Sequence, residues 1–315
     1  MKSNNVIIVL AITAFFATVN VSKQQVAASG NIPTFNYVPT NDKSNNYGIS
    51  QVTSEGEKSL EYIQTKATEN LKQQVQLDAL ERKIRAFVSD DINKFGMVYY
   101  DINSKKTIAI NADKQFEAAS TVKVPINMLM YDMVQDGEID INEKLKFEKV
   151  EFEEGAGILQ GMDLSKAIAI KTLSDFSIIY SDNIAINMIL RRVGEERRFN
   201  YIEKIVGHPI VHEGNNITAK DYVKILERLY SNPENNTYYT SMIEIMKKTE
   251  CHNRIDKYIP QEIVAHKMGN FNETVNDTAI VYKDNPYILV VFTDEILEAN
   301  EVIGQVSKIV YDAQK

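Results

Sequence analysis

The order of strand and helix patterns along this 315-residue chain constrains its fold more than any other feature. Five short runs have the apolar pattern of strands, at 97–102, 107–110, 263–267, 275–283 and 287–293. Residues 120–250, between the second and third runs, have a helical pattern. Strands split by a helical block predict one antiparallel sheet assembled from both ends of the domain. We therefore expect an α/β (α+β) fold of two lobes, a sheet of about five strands flanked by terminal helices and an all-helical lobe, with a cleft between them.

The expected domain limits follow from this order. We assign residues 1–28 to a signal peptide, 29–75 to a flexible tether and leading helix, and 76–315 to one domain, with a sheet lobe at 76–118 and 255–315 and a helical lobe at 119–254. The tether is predicted because residues 29–56 are rich in Asn, Ser, Thr and Gln and lack apolar periodicity. Apolar residues then recur at helical spacing from Leu60 to Phe87, which predicts one long or two shorter helices that pack on the domain.

The N-terminus has the layout of a secretory signal. Met1-Lys2-Ser3 leads into an apolar run, Val6–Val19, that is too short for a membrane span, and the small residues Ala27 and Ala28 follow. We expect cleavage after Ala28, with an uncleaved anchor as the alternative. The chain should therefore be exported, to the cell envelope or the medium. Its Asn- and Lys-rich composition without disulfides indicates a Gram-positive bacterium.

Charge, cysteine and histidine content exclude several classes of protein. The formal charge is −8, and loss of residues 1–28 with their two lysines makes it −10, which disfavours a nucleic-acid partner. The single cysteine, Cys251, allows no intramolecular disulfide, and we give it no role. His208 and His212 have the spacing of a helical metal site, but Pro209 argues against a helix there. We expect no metal, no cofactor and a monomer.

Ser120-Thr121-Val122-Lys123 is the first pattern that can carry chemistry. It follows the second predicted strand and opens an apolar helical stretch. Residues three apart share a helix face, so the Lys123 ammonium can reach the Ser120 hydroxyl. A lysine whose pKa is lowered by burial can serve as the base that a serine nucleophile needs. Ser120 is the only serine here with lysine three residues later; the alternative is a helix-capping serine beside a solvated lysine.

Two later patterns can complete such a site. Ser181-Asp182-Asn183 lies at a break between helical runs, where the hydroxyl can relay a proton and the Asn183 amide can bind both Lys123 and a substrate carbonyl. Lys267-Met268-Gly269 lies on a predicted strand, where the lysine can attract a carboxylate and the glycine allows substrate to approach the backbone. Each pattern alone is also typical of a helix cap or a strand end. His266 should point away from the side of Lys267, and we interpret it as structural.

Together and in this order, the three patterns resemble the Ser-x-x-Lys, Ser-Asp-Asn and Lys-Thr-Gly set of class A β-lactamases and penicillin-binding peptidases. The similarity extends to residues 116–126, 155–159 and 276–282, and covers about 76–315. The resemblance implies the two-lobed α/β fold of that family. It also implies a β-lactam or a peptidoglycan-stem-like small molecule as substrate.

The resemblance implies a role for each matching residue near the nucleophile. Ser120 would be acylated, and Lys123 would activate it. Ser181 would pass a proton to the departing nitrogen, while Asn183 would orient both the substrate and the lysine.

The resemblance also implies how substrate is bound. Lys267 would attract the substrate carboxylate, Gly269 would let substrate approach, and the backbone N–H groups of Ser120 and Asn270 would form the oxyanion hole. The chain departs from the family pattern at Met268, which replaces a hydroxyl residue that helps to hold the carboxylate. Affinity for ordinary penicillins should fall accordingly.

A second departure concerns release of the acyl group. Family members that hydrolyse β-lactams carry a Glu-x-x-x-Asn loop between the second and third patterns, whose glutamate activates water. Here Glu213 and Asn216 form an echo that is one residue too short. Glu213 is thus either a deacylating base or simply the end of a loop, and we favour the loop.

Three functions remain open. The first is a class A β-lactamase that acylates and then deacylates. The second is a cell-wall peptidase that acts on D-Ala-D-Ala-like substrates and is acylated by penicillin without efficient turnover. The third is a non-catalytic, wall-associated binding or sensor domain. We expect intact acylation and slow deacylation.

Overall fold

The computed structural model describes residues 54–314, and its regular elements alternate as the sequence patterns predict. The helices are α1 (Ser54–Val88), α2 (Lys123–Gln135), α3 (Ile170–Ile179), α4 (Asn183–Val193), α5 (Glu195–Val206), α6 (Ala219–Ser231), α7 (Thr237–Met246) and α8 (Ala299–Ala313). The strands are β1 (Phe95–Asp101), β2 (Thr107–Ile110), β3 (Gln115–Glu117), β4 (Lys144–Leu145), β5 (Ile168–Ala169), β6 (Asn216–Thr218), β7 (Val264–Phe271), β8 (Thr274–Val281) and β9 (Tyr287–Asp294). The predicted signal peptide and residues 29–53 of the predicted tether lie outside the described residues.

Five strands form one antiparallel sheet in the order β2-β1-β9-β8-β7. The N-terminal hairpin joins the C-terminal strands where β1 pairs with β9, from Phe95 opposite Thr293 to Asp101 opposite Tyr287. Strands β7, β8 and β9 are joined to one another in sequence order. The prediction of one antiparallel sheet drawn from both chain ends is therefore confirmed.

The central strands read as continuous apolar runs because both faces of the sheet are buried. In β9, Ile288 and Val290 pack towards the helical lobe, while Leu289 and Val291 belong to the core beneath α1 and α8. Ile84 of α1 and further apolar residues of α8 complete that second core. The terminal helices thus cover one face of the sheet, and the helical lobe covers the other.

The helical lobe contains α2 to α7, which confirms the helical pattern of residues 120–250. Helix α2 lies at its centre, with most of its side chains buried. Two small antiparallel sheets in this region were not predicted, β3 with β6 and β4 with β5. Strands of two or three residues are too short to show an alternating pattern.

Helix α1 is one long helix, and its described buried apolar residues lie in its C-terminal half. Leu80 and Ile84 are buried, but Ile63, Leu71 and Val75 are each more than half exposed. The expectation that the whole apolar stripe packs on the domain is therefore wrong for its first part. At 35 residues the helix is about 52 Å long, roughly twice the length of an eight-residue strand.

None of the helices between residues 54 and 314 has both the length and the apolar character needed to cross a bilayer. The limits assigned above to the signal peptide, the tether and the domain stay predictions.

Candidate active site

The predicted nucleophile lies in a short 3-10 turn, Ala119–Val122, between β3 and α2. Sequence reasoning placed Ser120 on the first turn of the α-helix, whereas the helix begins only at Lys123. In a 3-10 turn residues three apart are eclipsed, which brings Ser120 and Lys123 even more directly over each other. Ala119 has a φ of +50°, and its N–H donates to the Glu117 carboxylate at 3.0 Å. This strained residue and its bond fix the direction of the serine.

Lys123 contacts each of the other three predicted catalytic residues. Its side chain is buried, and Nζ lies 3.0 Å from Ser120 Oγ, 3.2 Å from Ser181 Oγ and 2.7 Å from Asn183 Oδ1. Burial lowers the pKa of Lys123 to about 8, against the opposing charges of Glu153 and Asp182. A substantial fraction of Lys123 is therefore neutral slightly above neutral pH, as a general base requires.

The loop between α3 and α4 holds the second serine. Ser181 has a φ of +54°, and the next residue, Asp182, caps α4 by accepting the N–H of Ala185 at 2.9 Å. The other oxygen of the Asp182 carboxylate accepts the N–H groups of Ile158 and Leu159, at 2.7 and 2.8 Å. Because these contacts fix the loop on both sides, the Ser181 hydroxyl is aimed at the lysines.

Asn183 links the catalytic lysine to an acidic side chain. As the first residue of α4, it accepts from Lys123 through Oδ1 and donates through Nδ2 to Glu153 Oε1 at 3.1 Å. An amide that has both a donor and an acceptor can hold the lysine while keeping a donor near the substrate position.

Lys267 lies on β7 and is only 1% exposed. Its Nζ donates to Ser181 Oγ at 2.9 Å and to the Met268 carbonyl at 2.8 Å. Burial, together with the positive charge of Lys123, holds the pKa of Lys267 well below its usual range. The hydroxyl of Ser181 thus lies between two lysines, a position from which it can exchange a proton with either.

Gly269 lets β7 lie directly against the nucleophile turn. A Cβ at this position would lie 2.7 Å from the Ala118 carbonyl oxygen and 3.2 Å from the Ser120 nitrogen. Only glycine permits that approach without displacing one of the two segments.

A cleft of about 170 Å³ opens over these residues. Its wall includes Ser120, Ser181, Lys267, Met268, Asn270 and Cys251. The structure thus brings together residues from the 3-10 turn, the α3–α4 loop and β7, which are far apart in sequence. Cys251, to which sequence reasoning gave no role, is exposed and lies in the same cleft.

Three residues that the sequence offered as a possible base or as possible metal ligands lie outside the cleft wall. Glu213 is exposed on the loop before β6 and is not part of the cleft wall among the described residues. His208 and His212 lie on the same non-helical loop and bind different acids, Asp221 at 2.9 Å and Glu203 at 2.8 Å. The two histidines are therefore not brought together on one helix face, as a metal site with this spacing would require.

Sequence reasoning missed a buried arginine that supports the site. Arg254, in the loop after α7, donates to the carbonyls of Gly269 at 2.9 Å and Asn276 at 2.5 Å, and to the side chain of Asn270. It therefore holds the end of β7 that the oxyanion hole would use. No spacing or pattern marks this residue. The capping role of Asp182, by contrast, was readable, since Asp before an apolar helical run is a common cap.

Comparison with known proteins bears on the family and the fold of the chain. A sequence profile described as the Beta-lactamase enzyme family matches residues 79–314. β-Lactamase VEB-1 of Pseudomonas aeruginosa is 22% identical over 271 residues, which cover 75% of this chain and 91% of that protein. β-Lactamase BRO-1 of Moraxella catarrhalis is 24% identical over 265 residues, covering 74% and 84% respectively.

Solved structures share the fold. The structure of PBP-A matches with a TM-score of 0.68 at 22% identity, over 75% of this chain and 95% of that one. A PBP-A mutant solved as an acyl-enzyme complex with penicillin G matches with a TM-score of 0.69 at 23% identity, over 75% and 96%. The fold is shown by these structures, and the family by the profile, which spans most of the chain. The chain belongs to the Beta-lactamase enzyme family.

Proposed function

We propose that this protein is an exported serine hydrolase that is acylated on Ser120 by β-lactams or by a D-Ala-D-Ala-like peptide, and that releases the acyl group slowly. The observation that carries the proposal is the contact between Lys123 Nζ and Ser120 Oγ, 3.0 Å apart, with the lysine buried and its pKa lowered to about 8. Serine and base are then in reach of each other without further movement.

Acylation can be followed through the described contacts. Neutral Lys123 accepts the Ser120 proton while Oγ attacks the carbonyl carbon, and the carbonyl oxygen becomes negative. We assign its stabilisation to the N–H groups of Ser120 and Asn270, as the family resemblance implies. When the C–N bond breaks, Ser181 gives its proton to the leaving nitrogen and regains one from Lys123, whose Nζ is 3.2 Å away. The products are an ester on Ser120 and a freed amine.

Slow deacylation is proposed because the cleft offers a poor base for water. Among the described residues Glu213 is not part of the cleft wall, and the wall contains one carboxylate, that of the exposed Glu250. Among the described residues no hydrogen bond holds the Glu250 side chain in position to activate a water. The second proposal, a cell-wall peptidase acylated by penicillin, is favoured by this feature and by the likeness to a penicillin G acyl-enzyme structure.

Recognition of the substrate carboxylate should differ from that of ordinary class A enzymes. Met268 contributes a thioether where a hydroxyl would donate a hydrogen bond, and the neighbouring Lys267 is buried and bonded to Ser181. A larger apolar side chain at this position suits a substrate whose carboxylate is bound less tightly or is replaced by another group. The intact serine and lysine set argues against a purely non-catalytic domain.

Intact-mass measurement over time after mixing with benzylpenicillin and a cephalosporin tests the proposal. We expect one adduct per chain that persists for many minutes, and none in Ser120→Ala. Glu213→Gln and Glu250→Gln, which remove the two candidate bases, should each leave the lifetime of the adduct unchanged. Absence of any adduct and of any turnover would refute acylation. Rapid turnover that Glu213→Gln abolishes, with the adduct then trapped, would refute the proposed slow deacylation.

A further inference from the structure

A second cluster of chemically competent side chains lies outside the hydrolase site. His252 and Asp256 belong to the loop between α7 and β7, and His266 lies on β7. One ligand atom from each residue lies within 4.8 Å of the other two. We propose that these three residues form a site for a divalent transition-metal ion, with zinc as the ion that fits best.

The buried half of the site is already formed. His266 and Asp256 are each only 1% exposed, and His266 Nε2 lies 3.3 Å from Asp256 Oδ2. Two ligands bound at about 2.1 Å to a tetrahedral zinc ion lie about 3.4 Å apart, so this pair has the separation that zinc requires. Imidazole nitrogen and carboxylate oxygen are both ordinary zinc ligands.

Two atoms at the site have unused bonding capacity. Nε2 of His266 and Oδ1 of Asp256 are buried and have no hydrogen-bond partner among the described residues. Buried polar atoms of this kind are uncommon, because leaving one unpaired costs free energy. A metal ion bound on the Nε2 side of His266, beside Asp256 Oδ2, would use the free nitrogen of His266.

The other ring nitrogen of His266 contacts a carboxylate, an arrangement that is common for histidines that bind metals. Its Nδ1 lies 3.0 Å from the carboxylate of Asp277 on β8. Asp277 is itself fixed, since Oδ2 accepts the N–H of Ile255 at 3.0 Å and Oδ1 accepts that of Thr278 at 2.9 Å. A carboxylate that orients a histidine from behind is the common second layer of zinc sites.

His252 supplies the third ligand and the route of entry. Its side chain is 37% exposed, and its Nδ1 contacts the same Asp256 oxygen that faces His266. This contact is a hydrogen bond, so the exposed His252 ring would turn away from Asp256 in order to bind the metal. The exposed side of the cluster leaves a fourth position for water or for a ligand. This proposal differs from the expectation of no metal.

The proposed metal site lies next to the hydrolase cleft, because the loop between α7 and β7 contributes to both. Cys251, in the cleft wall, precedes His252, and Arg254, which holds the end of β7, lies between two of the ligands. Metal binding should therefore order the loop that forms one side of the cleft. This inference does not depend on acylation of Ser120.

Zinc titration of untagged, chelator-treated protein in competition with a chromophoric chelator tests the site. We expect one zinc ion per chain, and tetrahedral absorption bands when cobalt(II) replaces it. His252→Gln should weaken zinc binding at least about tenfold. His212→Gln is the matched control, because His212 is 36% exposed and also paired with a carboxylate, and it should change nothing.

Histidine NMR of the wild-type protein provides a test that needs no variant. The chain has four histidines, and zinc should shift the ring signals of His252 and His266 while those of His208 and His212 stay in place. The inference is refuted if no saturable binding occurs up to about 100 µM zinc, if His252→Gln binds as tightly as wild type, or if the shifted signals are those of His208 and His212. None of these outcomes bears on the acylation proposal.

Discussion

The rate at which Ser120 is acylated should rise with pH through the pKa of Lys123. Burial lowers that pKa to about 8, so the neutral, proton-accepting fraction is about one eleventh at pH 7, one half at pH 8 and ten elevenths at pH 9. The second-order acylation rate constant should therefore increase about tenfold between pH 7 and pH 9. A lysine with an ordinary pKa, 10.5, would instead give a continued rise above pH 9.

Glu153→Gln is the perturbation that tests this assignment. The Glu153 carboxylate raises the pKa of Lys123, so its removal should move the midpoint of the profile to lower pH. The glutamine keeps an oxygen that can accept from Asn183, which bonds to Glu153 at 3.1 Å. Glu154→Gln is the matched control, since the adjacent carboxylate is not among the groups that shift Lys123.

The assay is stopped-flow labelling with a fluorescent penicillin from pH 6 to pH 10, with protein stability checked at each pH. A rate that does not change between pH 6.5 and pH 9 would show that Lys123 is not the base. The electrostatic reasoning would also fail if Glu153→Gln moved the midpoint upward, or no further than Glu154→Gln.

Three further substitutions test the supporting structure. Asp182→Ala removes the acceptor of three backbone N–H groups and should lower the free energy of unfolding by about 2–4 kcal/mol in urea denaturation; a loss under about 0.5 kcal/mol would contradict the capping role. Tyr222→Phe removes a 2.8 Å hydrogen bond to the Thr121 carbonyl of the nucleophile turn and should lower the free energy of unfolding by about 1 kcal/mol. An unchanged unfolding curve would contradict a supporting role for this bond. Gly269→Ala should slow acylation about 10- to 100-fold by pressing on the Ala118 carbonyl, whereas Gly161→Ala, whose Cβ meets nothing within 4 Å, should leave it unchanged; equal rates in the two variants would refute the close-approach argument.

Local patterns predicted most of the fold. Apolar periodicity is a property of a few consecutive residues, so the five long strands and the helical block could be located from sequence. The short strands β3 to β6 could not, because their two or three residues carry no period. The exposure of Ile63, Leu71 and Val75 on α1 also escaped prediction, since helical spacing says that a face is apolar and not whether another element covers it.

The contacts of the active site also fall into those that sequence could predict and those that it could not. Ser120 and Lys123 are close in sequence, and their contact follows from local geometry, although the 3-10 turn that eclipses them was not foreseen. The meeting of Ser181 with Lys267 depends on how β7 lies against the α3–α4 loop, and sequence supported it only through family resemblance.

Sequence alone determined the order of elements, the acidic charge and the residues able to act as nucleophile and base, because these depend on residue identity and short spacing. Only the tertiary structure decided how deeply the lysines are buried, which sets the pKa of Lys123, and that Arg254 holds β7. It also decided that His252, Asp256 and His266 converge. Their convergence depends on the packing of a loop against β7 and on the β7–β8 register that places Asp277 behind His266. Contacts between distant segments have no characteristic spacing in the sequence, so they cannot be predicted from it.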